Sequence, residues 1–217
     1  VLFDIVPNDP NMDRTTFSKK GIAVIQKIKP AALYEKRFAE LITPANYEDH
    51  GHLLGECDWV VEAVIERLDI KQKVFSWVAD NRKPGSIISS NTSGIPLASL
   101  IEDMNEDMRK HFLVTHFFNP VRYMRLLELV TGPDTDAAVT ARIATFGNTV
   151  LGKGVVYGKD TPNFVANRIG TFGMASVFHH LEQFDLPIEA VDSIFGSPMG
   201  RPKSAIFRTA DVVGLDT

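Results

Sequence analysis

His116 and Glu128 are the residues whose types and surroundings first point to chemistry. His116 sits near the end of HFLVTHFF (111–118), an apolar, β-branched and aromatic run that predicts a buried strand. Asn119-Pro120 then stops the strand, because proline has no N–H for a ladder and turns the chain. An imidazole in that place is either a satisfied core histidine or a working group. Glu128 stands in LLELV, where a charge among aliphatic neighbours demands a partner. The intervening residues suffice for a turn that lays the two strands side by side. A carboxylate held against one ring nitrogen fixes the tautomer and leaves the other nitrogen as a general base. A purely structural buried pair is the alternative.

Other polar groups collect at strand ends. Asp4 ends VLFDI (1–5), where a carboxylate can accept from ribose hydroxyls in a dinucleotide-binding sheet or can simply form a turn. Glu66 and Lys71 follow the strand WVVEAV (59–64), at the carboxyl edge where parallel sheets bind ligands. The same two residues also suit a solvated first helical turn. SSNTSG (89–94) sets hydroxyls and an amide, including Asn91 and Ser93, after another strand, either to bond a ligand or to cap the next helix. Asn167, in KDTPNFVANRI (159–169), can bond a substrate oxygen or tie its helix to the sheet. His179 and His180 have no Cys, Asp or third His at ligand spacing, so no metal site is expected.

The elements that must position these groups alternate. Strands are expected at 1–5, 59–64, 86–91, 111–118, 126–132 and 154–158, with helices from Asn8-Asp9-Pro10 to Ile28 and over 66–80, 96–104 and 134–151. Residues 31–43 read as amphipathic or loop-rich. Apolar strands alternating with helices predict a mainly parallel sheet covered on both faces. After Pro162 only helical patterns follow, so a helical second domain is expected from 161.

The 217 residues suffice for one large domain or one domain and part of another. Hydrophobic content of 44%, charged content of 23% and a net charge of −4 fit a globular chain and give no sign of a nucleic-acid surface. No apolar run nears the roughly 20 residues that span a bilayer, so no membrane insertion is expected. One cysteine, Cys57, excludes an internal disulfide and fits a reducing, intracellular setting.

SSNTSG, THFFNP, LLELV and KDTPNFVANRI, in this order and spacing, make the sequence resemble the L-3-hydroxyacyl-CoA dehydrogenase family. GSPMGRP (196–202) and DVVGLDT (211–217) are similar to that family's helical C-terminal domain. The resemblance implies an α/β, Rossmann-like, mainly parallel sheet over 1–160, then part of an all-α substrate and dimerisation domain over 161–217. It implies NAD as cofactor, an acyl-CoA substrate and the oxidation of (S)-3-hydroxyacyl-CoA to 3-oxoacyl-CoA in fatty-acid β-oxidation. Asp4 would hold the adenosine ribose, and Glu66, Lys71 and Asn91 would line the rest of the dinucleotide site. Ser93 and Asn167 would hydrogen-bond the substrate's 3-oxygen and acyl region, with Asn119 in the same pocket. His116 would take the hydroxyl proton, and Glu128 would steady the resulting imidazolium.

The implied assembly is a homodimer or one module of a multifunctional β-oxidation complex, in the cytoplasm or, in a eukaryote, the mitochondrial matrix or peroxisome. The family's first strand and glycine-rich loop have no counterpart here, and its members continue past GLDT. The chain therefore reads as an internal fragment, expected by itself to bind NAD poorly and turn over little. How the sheet forms without that middle strand is open between an exchanged element and a rearranged strand order. Two other readings keep the fold: a dehydrogenase of a short hydroxy acid or sugar acid, and an inactive association module.

Overall fold

A computed structural model describes residues 1–201 and 203–213, so Pro202 of GSPMGRP and the terminal GLDT lie outside the described residues. The chain divides into two compact units, Val1–Val165 and one that begins at Ala166. The first unit runs β1 (Leu2–Asp4), α1 (Thr16–Ile25), a 3-10 segment at Lys36–Leu41, β2 (Pro44–Asn46) and a second 3-10 segment at Gly51–Glu56. It continues with β3 (Trp59–Glu62), α2 (Leu68–Asn81), β4 (Ile87–Ser90), α3 (Leu97–Leu100) and α4 (Glu106–Lys110). It closes with β5 (Phe112–Phe117), β6 (Leu126–Thr131), α5 (Ala137–Thr149) and β7 (Gly154–Gly158). The second unit contains α6 (Ala166–Phe184), α7 (Ile188–Ile194), a 3-10 turn at Ser197–Met199 and α8 (Phe207–Val213).

The sheet is α/β and mainly parallel, and it is broken. β3 to β7 form one five-stranded sheet in sequential order, while β1 and β2 pair in parallel by themselves. Every pair is parallel except β5–β6. Among the described residues no rearranged order joins the two sheets. A cleft lined by Leu2, Phe3, Val60, Val61 and Trp77 lies between the unpaired edges of β1 and β3.

Alternation along each strand of the larger sheet sends neighbours to opposite faces. Ile88, Phe112, Val114 and Val130 join one apolar cluster with Phe75 and Val78 of α2 and Leu97 and Leu100 of α3. Ile87, Leu113, Leu127 and Leu129 join the other, with Val139 and Ile143 of α5. Both faces are therefore covered, as the continuous apolar runs predict.

The first helix starts at Thr16 instead of Pro10. The Asp9 carboxylate accepts the Asn11 N–H (2.9 Å) and the Asp13 carboxylate accepts the Thr15 N–H (2.8 Å). Such local side-chain turns compete with helical hydrogen bonds and keep 9–15 out of the helix. The strand and helix patterns do not announce β2 or α4. β2 opens on Pro44, a position a strand tolerates because its first residue need not donate. α4 is capped by Asn105, whose side chain accepts from the Met108 N–H, with acids in its first turn and bases in its last.

Phe112 has no exposed surface and meets the Phe75 ring edge-on with centroids 5.2 Å apart. Phe112→Ala should lower unfolding free energy by about 3–5 kcal/mol, as urea denaturation would read it. A loss of less than about 1 kcal/mol would mean that this cluster does not hold the sheet.

Candidate active site

The antiparallel β5–β6 pair sets the centre of the site. Its register places His116 directly opposite Glu128. Phe112, Val114 and His116 alternate onto one face of β5, as Glu128 and Val130 do on β6, so both polar groups point into the cluster built on α2 and α3. His116 is 3% exposed and Glu128 is 0% exposed. Nδ1 of His116 lies 2.7 Å from Oε2 of Glu128. A carboxylate only accepts, so Nδ1 carries the proton, and in the neutral ring Nε2 keeps its lone pair. That nitrogen meets the Ser93 hydroxyl at 3.1 Å. The rings of Phe118 and Phe164 flank the imidazole, at centroid distances of 4.4 and 5.6 Å.

The segment after β7 secures the other side of the pair. Asn163 and Phe164 both adopt left-handed backbone, with φ of 62° and 44°. That conformation is costly for a bulky residue. It turns the chain so that Phe164 packs on His116 and the Val165 N–H donates to Oε1 of Glu128 at 3.2 Å. Just before the turn, the Asp160 carboxylate accepts the Leu97 and Ala98 N–H groups at 2.8 and 3.0 Å, which ties this segment to α3.

A second polar group holds the 92–94 loop. Oε1 of Glu66 accepts the Thr92 hydroxyl and the backbone N–H groups of Ser93 (2.9 Å) and Gly94 (3.1 Å). Its Oε2 lies 3.2 Å from Nζ of Lys71. Burial works against the charge on Glu66. Hydrogen bonds from Thr92, Gly94 and Ser93, together with the Lys71 charge, outweigh burial and lower the carboxyl pKa from 4.5 to about 2. Lys71 itself is 1% exposed, and its ammonium also contacts both oxygens of Glu62, at 2.8 and 3.0 Å. In this arrangement the Lys71 ammonium is enclosed by Glu62, Glu66 and the Val64 carbonyl. Glu62 and Thr92 were not singled out in the sequence, although the acid near the end of WVVEAV was the available signal.

The remaining expected residues divide. Asp4 is half-buried at the carboxyl end of β1, where its Oδ1 accepts the Ile5 N–H at 2.8 Å. Asn91 uses its side-chain oxygen to accept the Phe117 N–H at 2.9 Å, so it anchors the end of β5 beside His116. Asn119 is exposed just beyond that strand. The connection after it is held by Lys153, whose ammonium donates to the Met124 carbonyl (2.7 Å) and the Val121 carbonyl. Asn167 belongs to the second unit, in the first turn of α6. The carboxylate ending β1 and the carboxylate, hydroxyl and amide after β3 and β4 lie at carboxyl ends of parallel strands, a set of hydrogen-bonding groups that suits a dinucleotide.

Residues 2–161 match the 3-hydroxyacyl-CoA dehydrogenase NAD binding domain. A probable 3-hydroxyacyl-CoA dehydrogenase of Bacillus subtilis is 46% identical over 230 residues, an alignment covering all of this chain and 29% of that protein. A probable 3-hydroxyacyl-CoA dehydrogenase of Deinococcus radiodurans is 44% identical over 217 residues, covering all of this chain and 62% of that protein. The crystal structure of M. tuberculosis FadB2 is similar at a TM-score of 0.74 and 30% identity, over 93% of this chain and 68% of that one. The chain belongs to the 3-hydroxyacyl-CoA dehydrogenase family, and its first unit has the Rossmann-like fold of the NAD-binding domain. It spans less than two thirds of either curated relative.

Because Glu66 binds its proton more weakly folded than unfolded, its charge stabilises the fold above pH 4.5, and the contribution fades as pH falls toward about 2. Urea midpoints of the unaltered chain and Glu66→Gln should differ by a constant amount near neutral pH. The gap should narrow below pH 4.5. A gap independent of pH down to about 2 would show that the charge of Glu66 does not hold the loop.

Proposed function

We propose that this member of the 3-hydroxyacyl-CoA dehydrogenase family serves fatty-acid β-oxidation by oxidising (S)-3-hydroxyacyl-CoA to 3-oxoacyl-CoA, with His116 as general base. The observation that carries this reading is the two-sided hold on one buried imidazole, Glu128 on Nδ1 and the Ser93 hydroxyl at Nε2. The lone pair of Nε2 takes the proton of the substrate's 3-hydroxyl as the hydrogen on C3 departs with its electron pair. NAD, when bound, accepts that hydride. The positive charge then on the ring is opposed by Glu128, whose second oxygen is fixed by the Val165 N–H. With substrate bound, the Ser93 hydroxyl turns from Nε2 to donate to the 3-oxygen, and the family resemblance assigns Asn167 to the acyl region. Phe118 and Phe164 keep water from the imidazole and so strengthen each of these interactions.

Asp4 is assigned the adenosine ribose, and Asn91, Asn119 and Glu66 the remainder of the dinucleotide site. The preference for an acyl-CoA over a free acid rests on family membership. The test uses the full-length protein that carries this chain and follows NADH oxidation with acetoacetyl-CoA. His116→Ala should lower kcat by about 10²–10⁴-fold with KM little changed. Undiminished turnover in that variant would remove His116 from the chemistry. A higher kcat/KM for free acetoacetate than for its CoA ester would replace the substrate while leaving the base.

A further inference from the structure

Glu62 stands apart from the residues assigned above. It is 3% exposed, at the carboxyl end of β3, opposite Ser90 in the β3–β4 register. Its Oε1 accepts the Val64 N–H at 2.6 Å and Nζ of Lys71 at 2.8 Å. Its Oε2 accepts the Ser90 hydroxyl at 2.5 Å and the same ammonium at 3.0 Å. Two lines of contact lead from this carboxylate to the same loop. One passes through Lys71 to Glu66 and on to Thr92, Ser93 and Gly94. The other passes through Ser90, whose Oγ accepts the Thr92 N–H at 3.2 Å. Both end one residue or less from Ser93, the side chain that meets Nε2 of His116.

We propose that Glu62 is a positioning residue, which through Lys71, Glu66 and Ser90 sets the 92–94 loop so that the Ser93 hydroxyl stays beside Nε2 of His116, where both can reach the substrate's 3-oxygen. A buried ion pair is a poor way to stabilise a core, because removing both charges from water is costly and apolar residues of equal volume pack as well. Apolar residues could not hold the ammonium against half-exposed Glu66 or accept from Ser90. The pair therefore fixes geometry. Loss of it leaves Ser93 free to drift, and a displacement on the order of 1 Å costs rate even when binding is kept.

This inference rests on the proposed reaction, and the experiment separates the two. In the full-length protein, kcat for NADH oxidation with acetoacetyl-CoA is compared among the unaltered enzyme, Glu62→Gln, Ser93→Ala and the double variant. Glu62→Gln should lower kcat about tenfold with KM little changed, and should have no further effect once Ser93 is alanine. Equal losses in both backgrounds, or no loss at all, would overturn the positioning role. If Glu62→Gln does not fold, Thr92→Val removes one hydroxyl from Glu66 and leaves intact the buried pair and the loop's backbone contacts to Glu66 and Ser90. It should then give a smaller loss in kcat, about threefold, only when Ser93 is present. Undiminished turnover in His116→Ala would mark failure of the reaction itself and not of the positioning role.

Discussion

An imidazole and a carboxylate, both removed from water, must face one another across the only antiparallel pair in the larger sheet. Most of the first unit can be understood from that requirement. Neither group could be buried alone at reasonable cost, and losing one partner of a buried charged pair typically costs about 3–5 kcal/mol. Strand register supplies the partnership, because a slip of one residue would send His116 or Glu128 to the opposite face. On that face the buried polar side chains Ser89 and Thr115 already bond each other at 2.8 Å, amid the apolar cluster built on α5, and among the described residues it carries no carboxylate or imidazole to meet a slipped partner.

The surrounding elements narrow this pair from a structural contact to a directed one. β4 ends at Ser90, and the polar residues that follow emerge beside the end of β5. Glu66 gathers three donors of that loop onto one carboxylate oxygen, while Asn91 reaches across to the Phe117 N–H. From the other side, the left-handed turn at Asn163 and Phe164 brings an aromatic ring and a backbone donor to the same pair. Strain of this kind persists only where neighbouring contacts over-determine it, and here Asp160 and Val165 bracket the turn with hydrogen bonds.

Much of this was legible in the residues. The charge of Glu128 inside LLELV, and the polar ring ending HFLVTHFF, each lacked a partner until paired with the other. Continuous apolar strands gave the two-faced sheet. What stayed hidden depended on contacts distant in sequence. Lys71 reads either as a ligand-binding residue at the sheet's carboxyl edge or as part of a solvated first helical turn, and only the fold shows its ammonium enclosed by Glu62 and Glu66. Glu62 reads as one acid of several near a strand end, since nothing local tells which of them is buried. β2 was missed because three residues beginning with proline carry no alternation. The break between β1 and β3 is a matter of pairing, which no single strand's pattern reports.

Nitrogen-15 spectra of the histidine rings in the folded chain test the central geometry most directly. In the neutral form of His116, the account predicts a proton on Nδ1, donated to Glu128, and a bare Nε2. A neutral ring protonated at Nε2 would mean that the carboxylate does not hold the imidazole, and the general-base assignment would lose its foundation.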